Sequence, residues 1–125
     1  MYPIWSLMSK KKIRVDVEVE NPKELPQKIT WDADDSREET LDTPVLHMAV
    51  WDPNSKETLL LNLWTKHMTM YDMKCFHIQI LQGLGQNILR STGDEFMSVK
   101  MGELSEVLKS YLDRISEEKS GGDGV

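Results

Sequence analysis

Three histidines and one cysteine are the side chains of this sequence best suited to bind a metal or transfer a proton. His47 lies in a predicted strand, His67 in a predicted loop and His77 in a predicted helix. No pair has ligand spacing on a shared element, and the lone Cys75 supplies no second ligand. We therefore predict no metal site and no cofactor, with His77 and Cys75 in packing roles.

Carboxylates concentrate in one acidic stretch, residues 31–39 (WDADDSREE). General acid–base catalysis on a glycoside needs carboxylates that converge across a cleft from rigid elements. A run within one loop is more often a solvated surface, with a cation site or a basic partner as the alternative. The match of DADD to a calcium loop is weak, because the required glycine and closing glutamate are not at the right positions. No nucleophile elbow is present, so we predict no catalytic residue and no enzymatic activity.

The composition limits the partners and the location of the chain. Its 125 residues carry a formal net charge of −6, which disfavours a nucleic-acid partner because phosphate binding needs clustered Lys and Arg. The basic run at residues 10–12 is interpreted as a solubilising flank. No apolar run approaches the roughly 20 residues that span a bilayer. The apolar residues 1–7 precede the lysines, the reverse of an export signal, so we expect no membrane insertion and a cytoplasmic protein.

Hydrophobic periodicity predicts the elements that would hold these groups. Strict alternation over residues 12–20 predicts a half-buried strand, and residues 28–31 predict a short second one. Residues 45–51 and 57–65 predict a third and a fourth strand, and the DPNSK sequence between them is typical of a hairpin turn. Residues 32–42 are predicted to form an exposed loop, with a brief helical turn over SREE as an alternative.

Two amphipathic helices are predicted after the strands, over residues 70–90 and 101–118. Thr69 is the expected N-cap of the first helix, with Asp72 three residues on, and Gly93 is expected to end it. Gly83 and Gly85 each cost about 1 kcal/mol relative to alanine inside a helix. We interpret them as positions where another backbone approaches closely.

The resulting order, β-β-β-β-α-α, predicts an α+β fold in which a four-stranded antiparallel sheet is followed by two C-terminal helices. We expect a single domain over residues 9–118. Residues 1–8 would form an N-terminal extension, and the Gly-rich residues 119–125 would form a disordered tail.

The third and fourth strands and the first helix carry apolar side chains on both of their faces, whereas the first strand and the second helix carry them on one. Leaving a large apolar side chain in water forfeits roughly 1.5–3 kcal/mol, and a contiguous exposed patch usually marks an interface. We therefore predict a homo-oligomer or a partner surface. The alternative is that residues 21–44 or 1–7 cover the second sheet face. The candidate interaction residues are Trp51, Leu60, Trp64, Tyr71, Ile78 and Leu89.

Several short motifs are spread along the chain. They include a PxKIxW pattern at residues 26–31, Val50-Trp51-Asp52, Leu63-Trp64-Thr65-Lys66 and Thr92-Gly93-Asp94-Glu95. Through these motifs the chain, over about residues 9–116, resembles the gliding motility-associated protein GldC family of Bacteroidetes. The resemblance implies a small accessory protein of the gliding machinery, which is linked to type IX secretion, and no enzymatic activity. It implies protein partners from that machinery and brings no set of binding residues.

The order of the elements also resembles that of the bacterial export chaperone SecB, which is an analogy of fold alone. One alternative function is therefore a SecB-like chaperone that binds unfolded secretory polypeptides through apolar strand faces. Another alternative is an enzyme or a small-ligand-binding domain. It would need a deep pocket with convergent polar groups, near His47 or His67.

Overall fold

The computed structural model describes residues 10–21, 25–34 and 40–123, with the backbone alone for residues 117–123. Strands come first and two helices follow, so the chain has the predicted α+β class. The elements are β1 Ile13–Glu18, β2 Lys28–Ala33, β3 Leu41–Thr43, β4 Val45–Asp52, β5 Glu57–Trp64, α1 Met70–Thr92 and α2 Glu95–Asp123. The chain divides after Met68 into a strand unit and a helical unit, which are described separately below.

The strand unit begins with an antiparallel sheet in the order β1-β2-β3. Val15 lies opposite Trp31, and Ile29 lies opposite both Val17 and Thr43. Ile29 is 1% exposed, because it stands on the central strand of this sheet. In β1 only Val15 is half-buried, whereas Ile13 is 77% and Val17 37% exposed, so the face predicted to be buried is largely open.

The second sheet is the two-stranded antiparallel hairpin of β4 and β5, whose register runs from Val45 opposite Trp64 to Asp52 opposite Glu57. The predicted hairpin is confirmed. Its turn is closed by the Asp52 carboxylate, which accepts hydrogen bonds from the backbone N–H groups of Asn54 at 2.9 Å and Ser55 at 3.4 Å. Asx-type bonding of this kind stabilises a reversal of the chain.

The prediction of one four-stranded sheet is wrong, because the strands form two separate sheets of three and two strands. Pro44 stands between β3 and β4 and has no N–H to donate to a strand ladder. The chain pairs with β2 before this proline and with β5 after it, where Thr65 N donates to Pro44 O at 2.8 Å.

The loop predicted over residues 32–42 is partly strand. Asp32 and Ala33 extend β2, and Leu41 and Asp42 belong to β3, which pairs with β2. The helical turn considered for SREE falls on residues that lie outside the described part of the chain. Acidic composition predicted a loop here, whereas the pairing of Asp32 and Ala33 with β1 and of Leu41 and Asp42 with β2 decided the conformation of the flanks.

The ends of α1 follow its predicted caps. Thr69 Oγ1 accepts from Asp72 N at 3.1 Å, and Gly93 adopts a left-handed φ of 76° while its N–H donates to Leu89 O. The second helix starts at Glu95 rather than at Met101, because Asp94 Oδ1 accepts from Met97 N at 2.9 Å and so acts as an N-cap. It also extends past the predicted end at residue 118 to Asp123.

The helical unit is held together by the packing of α1 on α2. A Cβ atom on Gly85 would stand 3.3 Å from Met101 Cβ, so the predicted close approach is confirmed at Gly85. It is wrong for Gly83, around which the structure is open. On α2, the buried Ser105 and Leu112 lie on the same side as Met101. No helix in the described residues has the length and hydrophobicity needed to cross a membrane.

Candidate interaction surface

The β4–β5 hairpin exposes apolar side chains on both of its faces. Because side chains alternate along a strand, one face, here called the tryptophan face, holds Val45, His47, Ala49, Trp51, Thr58, Leu60, Asn62 and Trp64. The opposite face, here called the leucine face, holds Leu46, Met48, Val50, Leu59, Leu61 and Leu63, with Asp52 and Glu57 at its turn end. Three candidate residues, Trp51, Leu60 and Trp64, are thus brought together on one face.

These three side chains are open to solvent. Trp51 is 58% exposed, Leu60 is 60% exposed and Trp64 is 42% exposed. An isolated two-stranded hairpin is marginally stable at best in water, and each large side chain left in water forfeits about 1.5–3 kcal/mol. A partner that covers either face would therefore stabilise the hairpin.

One polar pair lies in the middle of the tryptophan face. His47 and Asn62 are cross-strand neighbours, and His47 Nδ1 is hydrogen-bonded to Asn62 Oδ1. This bond orients both side chains, and the tryptophan face contains no Asp, Glu, Lys or Arg. No group of three His, Cys, Asp or Glu side chains suited to a metal ion occurs in the described part of the chain.

A shallow cavity of about 240 Å³ lies beside His67, with Lys28, Asp42 and Thr65 among its lining residues. Lys28 Nζ and Asp42 Oδ1 are 4.0 Å apart, and both side chains are exposed. The cavity is smaller than the roughly 300–1,000 Å³ of ligand pockets. It offers some polar groups near His67, as the ligand-binding alternative requires, but little enclosed volume.

The other candidate residues, Tyr71, Ile78 and Leu89, belong to the helical unit. Helical spacing places them on the side of α1 that holds Gly85, which is the side facing α2. Ile78 is half-buried, whereas Tyr71 and Leu89 stay partly exposed at the margin of the helix pair. The helix α2 therefore covers part of the second apolar patch that the sequence predicted on α1.

The pKa of the Tyr71 hydroxyl is affected by groups on both helices. A hydrogen bond with Cys75 raises the pKa of the Tyr71 hydroxyl, and the negative charges of Asp113 and Asp72 add to the effect. His77, predicted to lie in the core, is exposed, and its Nδ1 is hydrogen-bonded to Met73 O at 2.8 Å. Both residues serve the local structure of α1.

Sequence reasoning missed a set of exposed apolar residues on α2, because the helix was taken to have a single apolar face that one neighbour would cover. The set comprises Phe96, Met97, Val99, Leu104, Val107 and Tyr111. The signal in the sequence is a second row at helical spacing, formed by four of these residues and adjacent to the row that packs on α1: Met97, Leu104, Val107 and Tyr111.

Comparison with known proteins identifies a family. The family model described as gliding motility-associated protein GldC-like matches residues 26–114, a range that includes both hairpin strands and all of α1. No curated protein and no solved structure matches the chain. The family match covers well over half of the 125 residues and confirms the resemblance carried by the sequence motifs. The chain belongs to the gliding motility-associated protein GldC-like family.

Proposed function

We propose that this protein is a non-enzymatic accessory protein of bacterial gliding that binds a protein of the gliding machinery through the tryptophan face. The observation that carries the proposal is the joint exposure of Trp51, Leu60 and Trp64 on one side of a regular hairpin. The family match supplies the biological setting. The partner would be a component of the gliding apparatus or of the type IX secretion system linked to it, and the site of action would be the cytoplasm.

The composition of the tryptophan face suits a protein interface. Interface cores are depleted in charged residues and enriched in aromatic ones, and tryptophan is prominent among residues that dominate binding energy. The face has a tryptophan near each end, Leu60 between them and no Asp, Glu, Lys or Arg. Leucine is under-represented among such residues, which favours the tryptophan face over the leucine face.

Self-association is the second part of the proposal. The helical unit exposes several apolar side chains on α2, and a large exposed apolar patch usually marks an interface. A homo-oligomer would cover them.

Gliding of the native organism tests the proposal. The chromosomal gene would be replaced by a Trp51→Ala, Trp64→Ala variant, and cell velocity would be measured at protein levels matched by immunoblot. We expect gliding to be lost. Normal velocity of the double variant at normal abundance would overturn the proposal.

A matched pair of single variants locates the contact on one face. Leu60→Glu and Leu59→Glu alter neighbouring residues of β5 that are 60% and 61% exposed but lie on opposite faces. We expect Leu60→Glu to stop gliding and Leu59→Glu to preserve it. The reverse pattern would assign the contact to the leucine face and contradict the proposal.

A chaperone function is the second candidate, favoured by apolar exposure on both faces of the hairpin rather than on one. A SecB-like chaperone would hold many unfolded polypeptides through such surfaces. Binding of a reduced, unfolded model protein, measured by light scattering during its aggregation, separates the two. Suppression of aggregation at equimolar amounts would favour the chaperone, and no suppression would favour the specific adaptor.

A further inference from the structure

Six residues of α2 recur at alternating steps of three and four residues: Met97, Lys100, Leu104, Val107, Tyr111 and Arg114. This row is called the α2 seam. Its apolar members Leu104, Val107 and Tyr111 are 50%, 64% and 48% exposed. Alternation of three and four is the spacing at which one helix meets another along a coiled-coil-like contact. The α2 seam therefore has the pattern of a helix-binding surface.

A second row with the same spacing lies immediately beside the seam, shifted by one residue. It comprises Ser98, Met101, Ser105, Leu108, Leu112 and Ile115. This row already packs on α1, because Met101 lies against Gly85 of α1, and Ser105 and Leu112 are buried. Two adjacent rows on one helix are the arrangement of a bundle, in which each helix contacts two neighbours. In α2 one row is occupied and the other is exposed.

We propose that the α2 seam binds the α2 seam of a second copy of this chain in antiparallel orientation. The cations of the seam favour this orientation, and Lys100 Nζ also lies 3.3 Å from Glu103 Oε2 of its own helix. A parallel pair would place Lys100 against the second copy's Lys100 and Arg114 against the second copy's Arg114, and like charges at facing positions repel. An antiparallel pair with Leu104 facing the second copy's Val107 avoids both clashes.

In this antiparallel register each cation faces an apolar or aromatic neighbour. Lys100 would lie beside the second copy's Tyr111, and Arg114 beside the second copy's Met97. Both cations already contact rings within one chain, since Lys100 Nζ is 5.6 Å from the Phe96 ring centre and Arg114 Cζ is 5.9 Å from the Tyr111 ring centre. Cation–ring contact within about 6 Å is favourable. A shift by one turn that brings Lys100 opposite the second copy's Arg114 is disfavoured for the same reason.

The seam is long enough for a specific contact. From Met97 to Arg114 it covers about 25 Å at 1.5 Å per residue. Val107, Tyr111 and Arg114 also line an open groove of about 670 Å³, which gives room for the side chains of a second helix. The pair of seams would join two helical hairpins into a four-helix arrangement. This inference specifies the surface for the proposed self-association.

Light scattering of the full chain after size-exclusion chromatography tests the inference. We expect the natural sequence to have the mass of two chains and Val107→Glu to have the mass of one. Val99→Glu is the matched control, because Val99 is also an exposed valine of α2, at 54%, but lies outside the seam; it should keep the mass of two chains. Helical circular dichroism of both variants checks that they fold. A natural chain with the mass of one, or a folded Val107→Glu that stays paired, would overturn the inference.

Cross-linking tests the orientation. In a Cys75→Ser background, Met97→Cys and Arg114→Cys chains would be mixed and treated with a short bis-maleimide. An antiparallel pair predicts a cross-link between the two different chains. Cross-links of each chain with its own kind, and few between them, would indicate a parallel pair and overturn the proposed geometry.

These experiments distinguish failure of the seam proposal from failure of the tryptophan-face proposal. If both proposals hold, the double variant Trp51→Ala, Trp64→Ala keeps the mass of two chains while gliding is lost. If the seam proposal alone fails, Val107→Glu leaves the mass unchanged and the tryptophan variant still stops gliding. If the tryptophan-face proposal alone fails, Val107→Glu separates the chains and the tryptophan variant still glides.

Discussion

Gly85 of α1 lies so close to Met101 of α2 that a Cβ atom on the glycine would stand 3.3 Å from Met101 Cβ and 3.4 Å from Ser98 O. The second of these neighbours is backbone and yields less readily than a flexible side chain. Gly83, two residues earlier on the same helix, faces open space. The two glycines therefore separate the effect of helix propensity from the effect of packing.

The Gly83→Ala and Gly85→Ala variants should change stability in different ways. Gly83→Ala should raise the free energy of unfolding by about 0.5–1 kcal/mol, because alanine is the better helix former. Gly85→Ala should be less stable than Gly83→Ala by about 1–3 kcal/mol, the usual cost of overpacking. Urea unfolding followed by circular dichroism measures both. Equal stability of the two variants would contradict the close approach of α1 and α2.

The Asp52 turn should make the hairpin sensitive to acid. Hydrogen bonds from the backbone N–H groups of Asn54 and Ser55 hold the pKa of the Asp52 carboxyl below its usual value of 3.8. The folded state therefore binds this proton more weakly than the unfolded state. The stabilisation is present above pH 3.8 and is lost as the pH falls through the lower, folded value.

Asp52→Asn isolates this contribution, because asparagine keeps an acceptor oxygen and loses the charge. We expect the stability difference between the natural chain and Asp52→Asn to shrink as the pH is lowered from 6 to 3. Asp16→Asn, a change of an exposed carboxylate in β1, controls for net charge. A difference that is constant over this range would contradict the role of the ionised carboxylate.

Lys56 ends the same turn with a φ of 58°, the only non-glycine residue with a positive φ in the described part of the chain. A left-handed conformation costs a residue with a Cβ about 1–2 kcal/mol, and asparagine tolerates it best among such residues. Lys56→Asn should therefore raise the free energy of unfolding by about 1 kcal/mol. Lys66→Asn, the same change at an exposed lysine without a positive φ, should change it by less than about 0.5 kcal/mol. Calorimetry of the two variants provides the comparison.

Tyr71 should make the helical unit sensitive to alkali. The hydrogen bond with Cys75 and the nearby negative charges raise the pKa of the Tyr71 hydroxyl above its usual value of 10.0. The stabilisation is complete below that value and is lost as the pH rises through the higher, folded value. Tyr71→Phe removes the group, so its stability difference from the natural chain should shrink as the pH is raised above 10. Tyr111→Phe controls for loss of a hydroxyl, and an unchanged Tyr71→Phe difference would contradict the contact.

Local signals in the sequence predicted the parts of the fold that depend on local chemistry. Thr69 and Gly93 marked the ends of α1 because capping is a matter of a few neighbouring residues. The DPNSK turn and the alternation around it predicted the β4–β5 hairpin for the same reason. The placement of Trp51, Leu60 and Trp64 on one face follows from that register.

The errors arose where distant pairing decides the structure. Whether β4 continues the first sheet depends on what stands beside it in space, and alternation alone does not contain that information. Pro44 was the available signal for a break and was not used. The start of α2 was missed because Asp94 was not recognised as an N-cap. Its second apolar row was missed because only one neighbouring helix was expected.

Photo-cross-linking in gliding cells tests the central claim most directly. A photoreactive phenylalanine analogue would replace Trp51 on the tryptophan face or, as a control, Arg14 on β1, and adducts would be identified by mass spectrometry. The account predicts a discrete adduct between the Trp51 position and a protein of the gliding or secretion machinery, and none from Arg14. No adduct from Trp51, or adducts with many unrelated unfolded polypeptides, would contradict it.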